Sequence, residues 1–281
     1  MTDPGALGAI FGLISAIGWG AGDFSGGLAS RRAHVLFVVL VSELGGVLIL
    51  IGLAWFLAEP VPRPVDLVWG GLAGIIGTAG LLSLYRGLAT GAMGVVAPLS
   101  AVVTAVVPLL FGFVLEGPAG ARQLFGFGVA IVAVWLVSRP QQGGTVRLRD
   151  LGLPIGAGLG FGLFLIMIDH VSDSGVLWPL VSARISSLFM LFAMVAFTRR
   201  SQWPTLRQVP LMILAGLFDV GGNTFYALAA RMGRLDTAAV LSSLFPVVTV
   251  LLARFVLQER LSCQQWVGVA VALVAVVLIA S

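Results

Sequence analysis

The chain has 281 residues, of which 59% are hydrophobic and only 10% charged, and its mean hydropathy is +1.07. Soluble domains carry about 25% charged residues, so this composition excludes an ordinary soluble module and points to an all-α polytopic protein of the lipid bilayer. The net charge of +4 comes from 16 basic residues, all of them arginine. They form no basic stripe with interleaved aromatics, so no nucleic-acid partner is expected.

About 20 apolar residues span a bilayer as a helix. Ten segments meet that need in chain order: 6–28, 35–58, 66–89, 94–115, 122–139, 151–170, 176–198, 208–230, 236–257 and 263–280. Met1 to Gly5 has no basic stretch and the apolar run behind it is long, which reads as a first span and not a cleaved signal. The longest loop, Arg139 to Asp150, holds Pro, Gly and much of the local charge at the midpoint. It divides the chain into two five-helix units, 1–139 and 150–281. Cys263 is the sole cysteine, which leaves no internal disulfide and no Cys-based zinc site.

The two units are related. One constant shift in numbering aligns Leu72-Ala73-Gly74 with Leu214-Ala215-Gly216, Gly80 with Gly222, Gly91 with Gly233 and Leu99-Ser100 with Leu241-Ser242. The same register joins Phe113-Val114-Leu115 to Phe255-Val256-Leu257 and Gln123 to Gln265. Five helices per unit is an odd number, so the second unit starts on the other side of the membrane and the repeats are inverted. Inverted repeats in secondary transporters place the substrate site at the midplane between the halves.

Polar residues inside apolar spans are the candidates for function, because a charge in lipid is costly and turns toward protein or a water-filled cavity. In the eighth span, Asp219, Asn223 and Tyr226 are spaced i, i+4 and i+7 and share one helix face. In the first, Ser15, Trp19 and Asp23 do the same. Thr78 and Tyr85 lie seven apart in the third span, and Tyr85 and Tyr226 are the only tyrosines. Glu43 in the second span and Arg184 in the seventh fall almost at equivalent places, since the repeat shift aligns Arg184 with Ser42; a structural ion pair or two separately snorkelling side chains is the expectation for them. Pro98 and Pro246 loosen the backbone near Ser100, Ser242 and Ser243. Helices 1, 3, 4, 6, 8 and 9 are expected to line a cavity, with 5 and 10, nearly devoid of hydrogen-bonding side chains, packed outside.

Enzyme signatures such as HExxH, Walker A or G-x-S-x-G are absent from the sequence. Asp169, His170 and Asp173 cluster at a helix end, where solvated loop is the expected role, so neither metal nor cofactor is expected.

Trp19-Gly20 in the first helix, the two five-helix repeats, and Pro246 followed by Glu259-Arg260-Leu261 resemble the EamA family of the drug/metabolite transporter superfamily. In the first half Glu116 is followed by Gly117-Pro118 instead of Arg-Leu. Within the superfamily the chain looks most like bacterial amino-acid exporters of the YddG type. The resemblance implies a basket of ten helices around a central cavity, in a bacterial inner membrane, exporting amino acids and related metabolites by alternating access, with one chain sufficing. It also implies cytoplasmic termini, whereas arginines crowd the odd-numbered connections, which by the positive-inside rule puts the termini outside. Small multidrug exporters of the superfamily use a Glu in the first helix, and this chain has none there.

On this reading Trp19, Tyr85 and Tyr226 meet the apolar part of a substrate. Asp219 and Asn223 take its ammonium, with Asp23 and Thr78 on the same cavity, and Ser100, Ser242 and Ser243 supply hydroxyls. A broad efflux carrier for cationic or aromatic compounds fits the same residues, and an intramembrane lipid-handling enzyme is the reading from another class.

Overall fold

The computed structural model describes residues 4–89, 93–115, 117, 119–137, 151–198, 203–258 and 262–280. The expected central linker, Glu116, Pro118 and the Glu259-Arg260-Leu261 motif lie outside these residues, as do the side chains of Tyr85 and Pro98. Among them the fold is all helical: α1 (Pro4–Ser30), α2 (Val35–Phe56), α3 (Pro64–Ala89), α4 (Met93–Leu115), α5 (Ala121–Val137), α6 (Gly152–Ser172), α7 (Leu177–Thr198), α8 (Val209–Met232), α9 (Leu235–Ser242), α10 (Phe245–Val256) and α11 (Cys263–Ala280). Seven segments are long and apolar enough to cross a membrane, counting Leu235–Val256 as one, and Leu99–Leu115, Ala121–Leu136 and Cys263–Ile279 are shorter apolar helices. Large apolar side chains such as Phe56, Phe189 and Phe197 stand exposed on the outside, as expected where lipid is the solvent.

The predicted ninth span, 236–257, is not one helix. It breaks after Ser242 because Pro246, in the first turn of α10, has no N–H to offer the carbonyl one turn back. The break is closed locally, with Ser243 N donating to Ala239 O at 2.9 Å and Leu244 N to Leu241 O at 3.2 Å.

Helix pairing follows the internal repeat. α1 packs on α8 and α6 packs on α3, and the register is the same in both pairs. A Cβ on Gly18 would come within 2.6 Å of Gly222 N and 2.9 Å of Phe218 O. The repeat-equivalent partners do the same: a Cβ on Gly160 would lie 2.8 Å from Gly80 Cα and 3.0 Å from Ile76 O. Only glycine permits such backbone contact between helices. Along α1 and α8 the contacts run in opposite directions, from Gly8 at Ala229 to Gly22 at Ala215. Along α3 and α7 they run the same way, through Gly70 on Pro179, Gly74 on Ala183, and Thr78 Oγ1 donating to Ser187 Oγ at 2.7 Å.

α2 and α7 meet each other and are antiparallel. Just beyond α2, Glu59 Oε1 accepts from the first two amides of α7, Leu177 N at 2.8 Å and Trp178 N at 3.1 Å. A carboxylate there satisfies donors that a helix leaves unpaired and faces the positive end of its dipole. At the other end, Gln208 Nε2 donates to Arg32 O at 2.6 Å and Trp203 packs on Phe37 with ring centroids 4.8 Å apart. α5 and α11 pack on each other through Phe127, Ala130, Ala133, Ala272, Ala275 and Ile279.

Adjacent glycines in α8 give a test. A Cβ at Gly222 would collide with the Trp19 indole, whereas a Cβ at Gly221 meets nothing within 4 Å. Gly222→Ala is expected to destabilise by about 1–3 kcal/mol through overpacking. Gly221→Ala is expected to be neutral or to stabilise by about 0.5–1 kcal/mol through helix propensity. Thermal unfolding of the two variants in detergent checks the contrast.

Candidate substrate-binding cavity

Between the paired helices lies a cavity of about 790 Å³, mouth included. It is bounded by Trp19 and Asp23 of α1, Glu43 of α2, Thr78 and Leu81 of α3, Thr104 of α4, Phe161, Phe164 and Leu165 of α6, Arg184 and Ser187 of α7, Asp219 and Asn223 of α8, and Phe245 of α10. None of its lining comes from α5 or α11. Helices α2 and α7, absent from the expected list of lining helices, contribute Glu43 and Arg184 to the lining, which corrects that list.

One wall is polar and hydrogen-bonded in series. The indole Nε1 of Trp19 donates to Asn223 Oδ1 at 3.1 Å, and Asn223 Nδ2 donates to Asp219 Oδ2 at 2.9 Å. Since indole only donates and a carboxylate only accepts, the amide has one orientation that satisfies both. Arg184 Nη2 donates to the same Asp219 oxygen, and Arg184 Nη1 donates to Glu43 Oε1 at 2.5 Å. The Arg184 and Glu43 side chains are 7% exposed, but that of Asp219 is 39% exposed. Asp219 is therefore the member of the network that a ligand can reach, and its Oδ1 makes no hydrogen bond among the described residues. Asp23 also lines the cavity; it is half-buried and makes no hydrogen bond or ion pair among those residues. Its neighbour Gly22 lies against the Asp219 backbone.

The repeat-equivalent positions of the lining, on α3 and α6, are apolar. The shift that relates the two halves carries Trp19 and Asp23 of α1 onto Phe161 and Leu165 of α6, and Gly77 and Leu81 of α3 onto Asp219 and Asn223 of α8. All eight line the cavity. Where α8 carries the Asp219 carboxylate, α3 has no side chain at Gly77, and the Phe164 ring occupies the room, 3.0 Å from where a Cβ would sit. The cavity is thus two-fold related in position and opposite in chemistry.

The sequence matches the EamA-like transporter family over residues 6–139 and again over 151–281. The chain belongs to that family. As an EamA-like protein it is a multi-pass membrane transporter of the drug/metabolite type. Among curated proteins no match is found. One solved structure, described as "Crystal structure of protein", aligns with a TM-score of 0.81 over 99% of this chain and 96% of its own, at 14% identity. That likeness is one of fold.

Of the residues singled out in this EamA-like chain by sequence, Trp19, Asp23, Thr78, Asp219 and Asn223 come together on the cavity. Four others do not line it. Tyr226 is fully buried behind the wall, donating to Leu165 O at 2.9 Å and stacking on Trp19 with ring centroids 5.8 Å apart; it shares the face of Asp219 but stands two turns away, against α6. Ser242 donates to Gly12 O at 3.2 Å and Ser243 to Ala239 O at 2.7 Å, so both hydroxyls are spent on backbone. Ser100 is buried away from the lining. The Tyr85 side chain lies outside the described residues. Reading the sequence polar residue by polar residue missed Phe161, Leu165, Gly77 and Leu81, although the repeat shift applied to Trp19, Asp23, Asp219 and Asn223 names all four.

Tyr226 therefore acts by holding Trp19 and α6. Tyr226→Phe removes the hydrogen bond to Leu165 O, a carbonyl that keeps the helical donor of α6, at a cost of about 0.5–1.5 kcal/mol. The expected outcome is a lower unfolding temperature with unchanged relative rates for large and small substrates, measured by thermal denaturation beside competition transport.

Proposed function

We propose that this EamA-family transporter exports small amphipathic metabolites bearing an ammonium group, amino acids with large apolar side chains among them, from the bacterial cytoplasm across the inner membrane. The observation that carries the reading is the division of the cavity into an acidic wall and an apolar wall. An ammonium leaving water needs an anion or several acceptors to offset its desolvation. Asp219, held in place by Asn223 and Trp19, with Asp23 beside it, offers that. Phe161, Phe164, Leu165 and Leu81 receive the apolar body. Thr78 and Thr104 also line the cavity, their hydroxyl protons given to Ser187 Oγ at 2.7 Å and Ser100 O at 2.8 Å.

The carrier works by alternating access between two inverted five-helix units, ten spans in all. Support comes from the pairing of α1 with α8 as α6 with α3, from the antiparallel contact of α2 with α7, and from a cavity bounded by equivalent positions of both units. A single chain completes the cavity, which favours a monomer.

A second reading, efflux of cationic aromatic compounds, has its own support. The cavity is lined by three carboxylates, Asp23, Glu43 and Asp219, against one guanidinium, Arg184. That surplus favours a ligand with net positive charge.

Transport in proteoliposomes separates the two. Labelled phenylalanine, alanine and 2-phenylethylamine are offered to the purified chain. Faster flux of phenylalanine supports the amino-acid reading, and flux of the amine alone supports the cationic one. Asp219→Asn is expected to cut flux at least about tenfold, the worth of about 1.4 kcal/mol, in protein that still folds. Phe161→Ala is expected to weaken phenylalanine about fivefold relative to alanine, the worth of one desolvated aromatic contact. Normal flux through Asp219→Asn sinks the site assignment.

A further inference from the structure

The proposed site leaves one arrangement unexplained. Asp219, 39% exposed, is already paired with a cation that belongs to the protein, the Arg184 guanidinium. A ligand ammonium can use the shared Oδ2 of Asp219, beyond the Oδ1 that stands unpaired among the described residues, only if that guanidinium gives it up. In an interior bounded by lipid, a displaced guanidinium must find another anion at once.

The second anion is already in contact. Arg184 Nη1 donates to Glu43 Oε1 at 2.5 Å, while Glu43 Oε2 is buried and has no hydrogen-bond partner among the described residues. A guanidinium is a planar fork whose best partner is one carboxylate gripped through both oxygens. Here the fork is split, with one prong on each of two carboxylates, and the oxygen that would complete the two-pronged grip stands unused on Glu43. Glu43 belongs to α2 and Asp219 to α8, which lie side by side, with Gly46 of α2 packed against both the Arg184 guanidinium and Val220.

We infer that Arg184 is a resident competitor with two seats: it holds Asp219 in the empty carrier and moves wholly onto Glu43 when a substrate ammonium takes its place. This rests on the reading that the acidic wall receives the substrate's cationic nitrogen. Glu43 then sets affinity without touching substrate, by deciding how easily Arg184 leaves. The fraction of time that Asp219 is free divides the intrinsic affinity. The pair also keeps the wall from standing as an uncompensated anion between transport cycles.

The test is a double-mutant cycle on the full chain in detergent, read by calorimetric binding of 2-phenylethylamine, which has no carboxylate for the guanidinium to follow. Arg184→Gln is expected to bind about tenfold more tightly than the wild type, and Glu43→Gln about fivefold more weakly, within the range of coupling for residues in one network. The deciding quantity is the Glu43→Gln penalty in the Arg184→Gln background. With no guanidinium to house, it should shrink to less than about twofold. An equal penalty in both backgrounds would mean that Glu43 acts only as a distant charge, and would overturn the inference while leaving the acidic site standing. Failure of the wild type to bind the amine overturns both. If loss of either charge unfolds the chain, the wild type decides by infrared difference spectroscopy: adding the amine should shift the guanidinium C–N stretching bands, and unshifted bands reject the exchange of seats.

Discussion

A guanidinium held among helices in a lipid-bounded interior is the constraint on which the rest of this molecule depends. Arg184 carries a charge that water cannot reach well, and removing one partner of such a buried pair typically costs about 3–5 kcal/mol. The protein compensates it with Glu43 from α2 and Asp219 from α8. Those two helices, with α7 itself, are thereby tied at one point, which is also the floor of the polar wall. Asn223 and Trp19 extend the tie to α1. One charge thus recruits four helices.

Backbone proximity makes that tie possible. Gly74 abuts the Ala183 carbonyl and Gly216 the Ser42 carbonyl, each contact joining one half to the other. These place α7 on α3 and α2 on α8 closely enough for short side chains to reach across. In lipid there is no hydrophobic force between helices, so packing and hydrogen bonds carry their association. The glycine contacts therefore take the part that a soluble protein would assign to a large apolar core. Capping of α7 by Glu59 adds a directional constraint, since it fixes the start of the helix that carries Arg184.

Much of this was legible in the sequence, for identifiable reasons. The repeat could be read because Gly and short identical runs survive at fixed spacing, and Asp219 and Asn223 could be grouped because an i, i+4 pair on a helix does meet. The alignment of Glu43 with Arg184 could not. The contacts pair Ser42 with Gly216 as Ala183 with Gly74, so α2 corresponds to α7 with Ser42 matching Ala183, one position short of the shift that carries Gly74 onto Gly216. A one-residue slip between two apolar helices leaves no trace in composition. Ser242 and Ser243 do not line the cavity, and their hydroxyls find backbone carbonyls of their own or a neighbouring helix, which spacing cannot foretell. Phe161 and Phe164 were hidden among 17 phenylalanines, most of which could equally face lipid.

In the register that matches Ser42 to Ala183, Glu43 and Arg184 occupy the same position in the two halves, and they touch. Equivalent positions in contact mark the pseudo-two-fold axis itself. Two identical repeats assembled in this way would set glutamate against glutamate, or arginine against arginine, with nothing between them but each other. The joined chain escapes that self-repulsion by letting one half bear the acid and the other the base. The halves have become lock and key to one another, and neither could replace its neighbour.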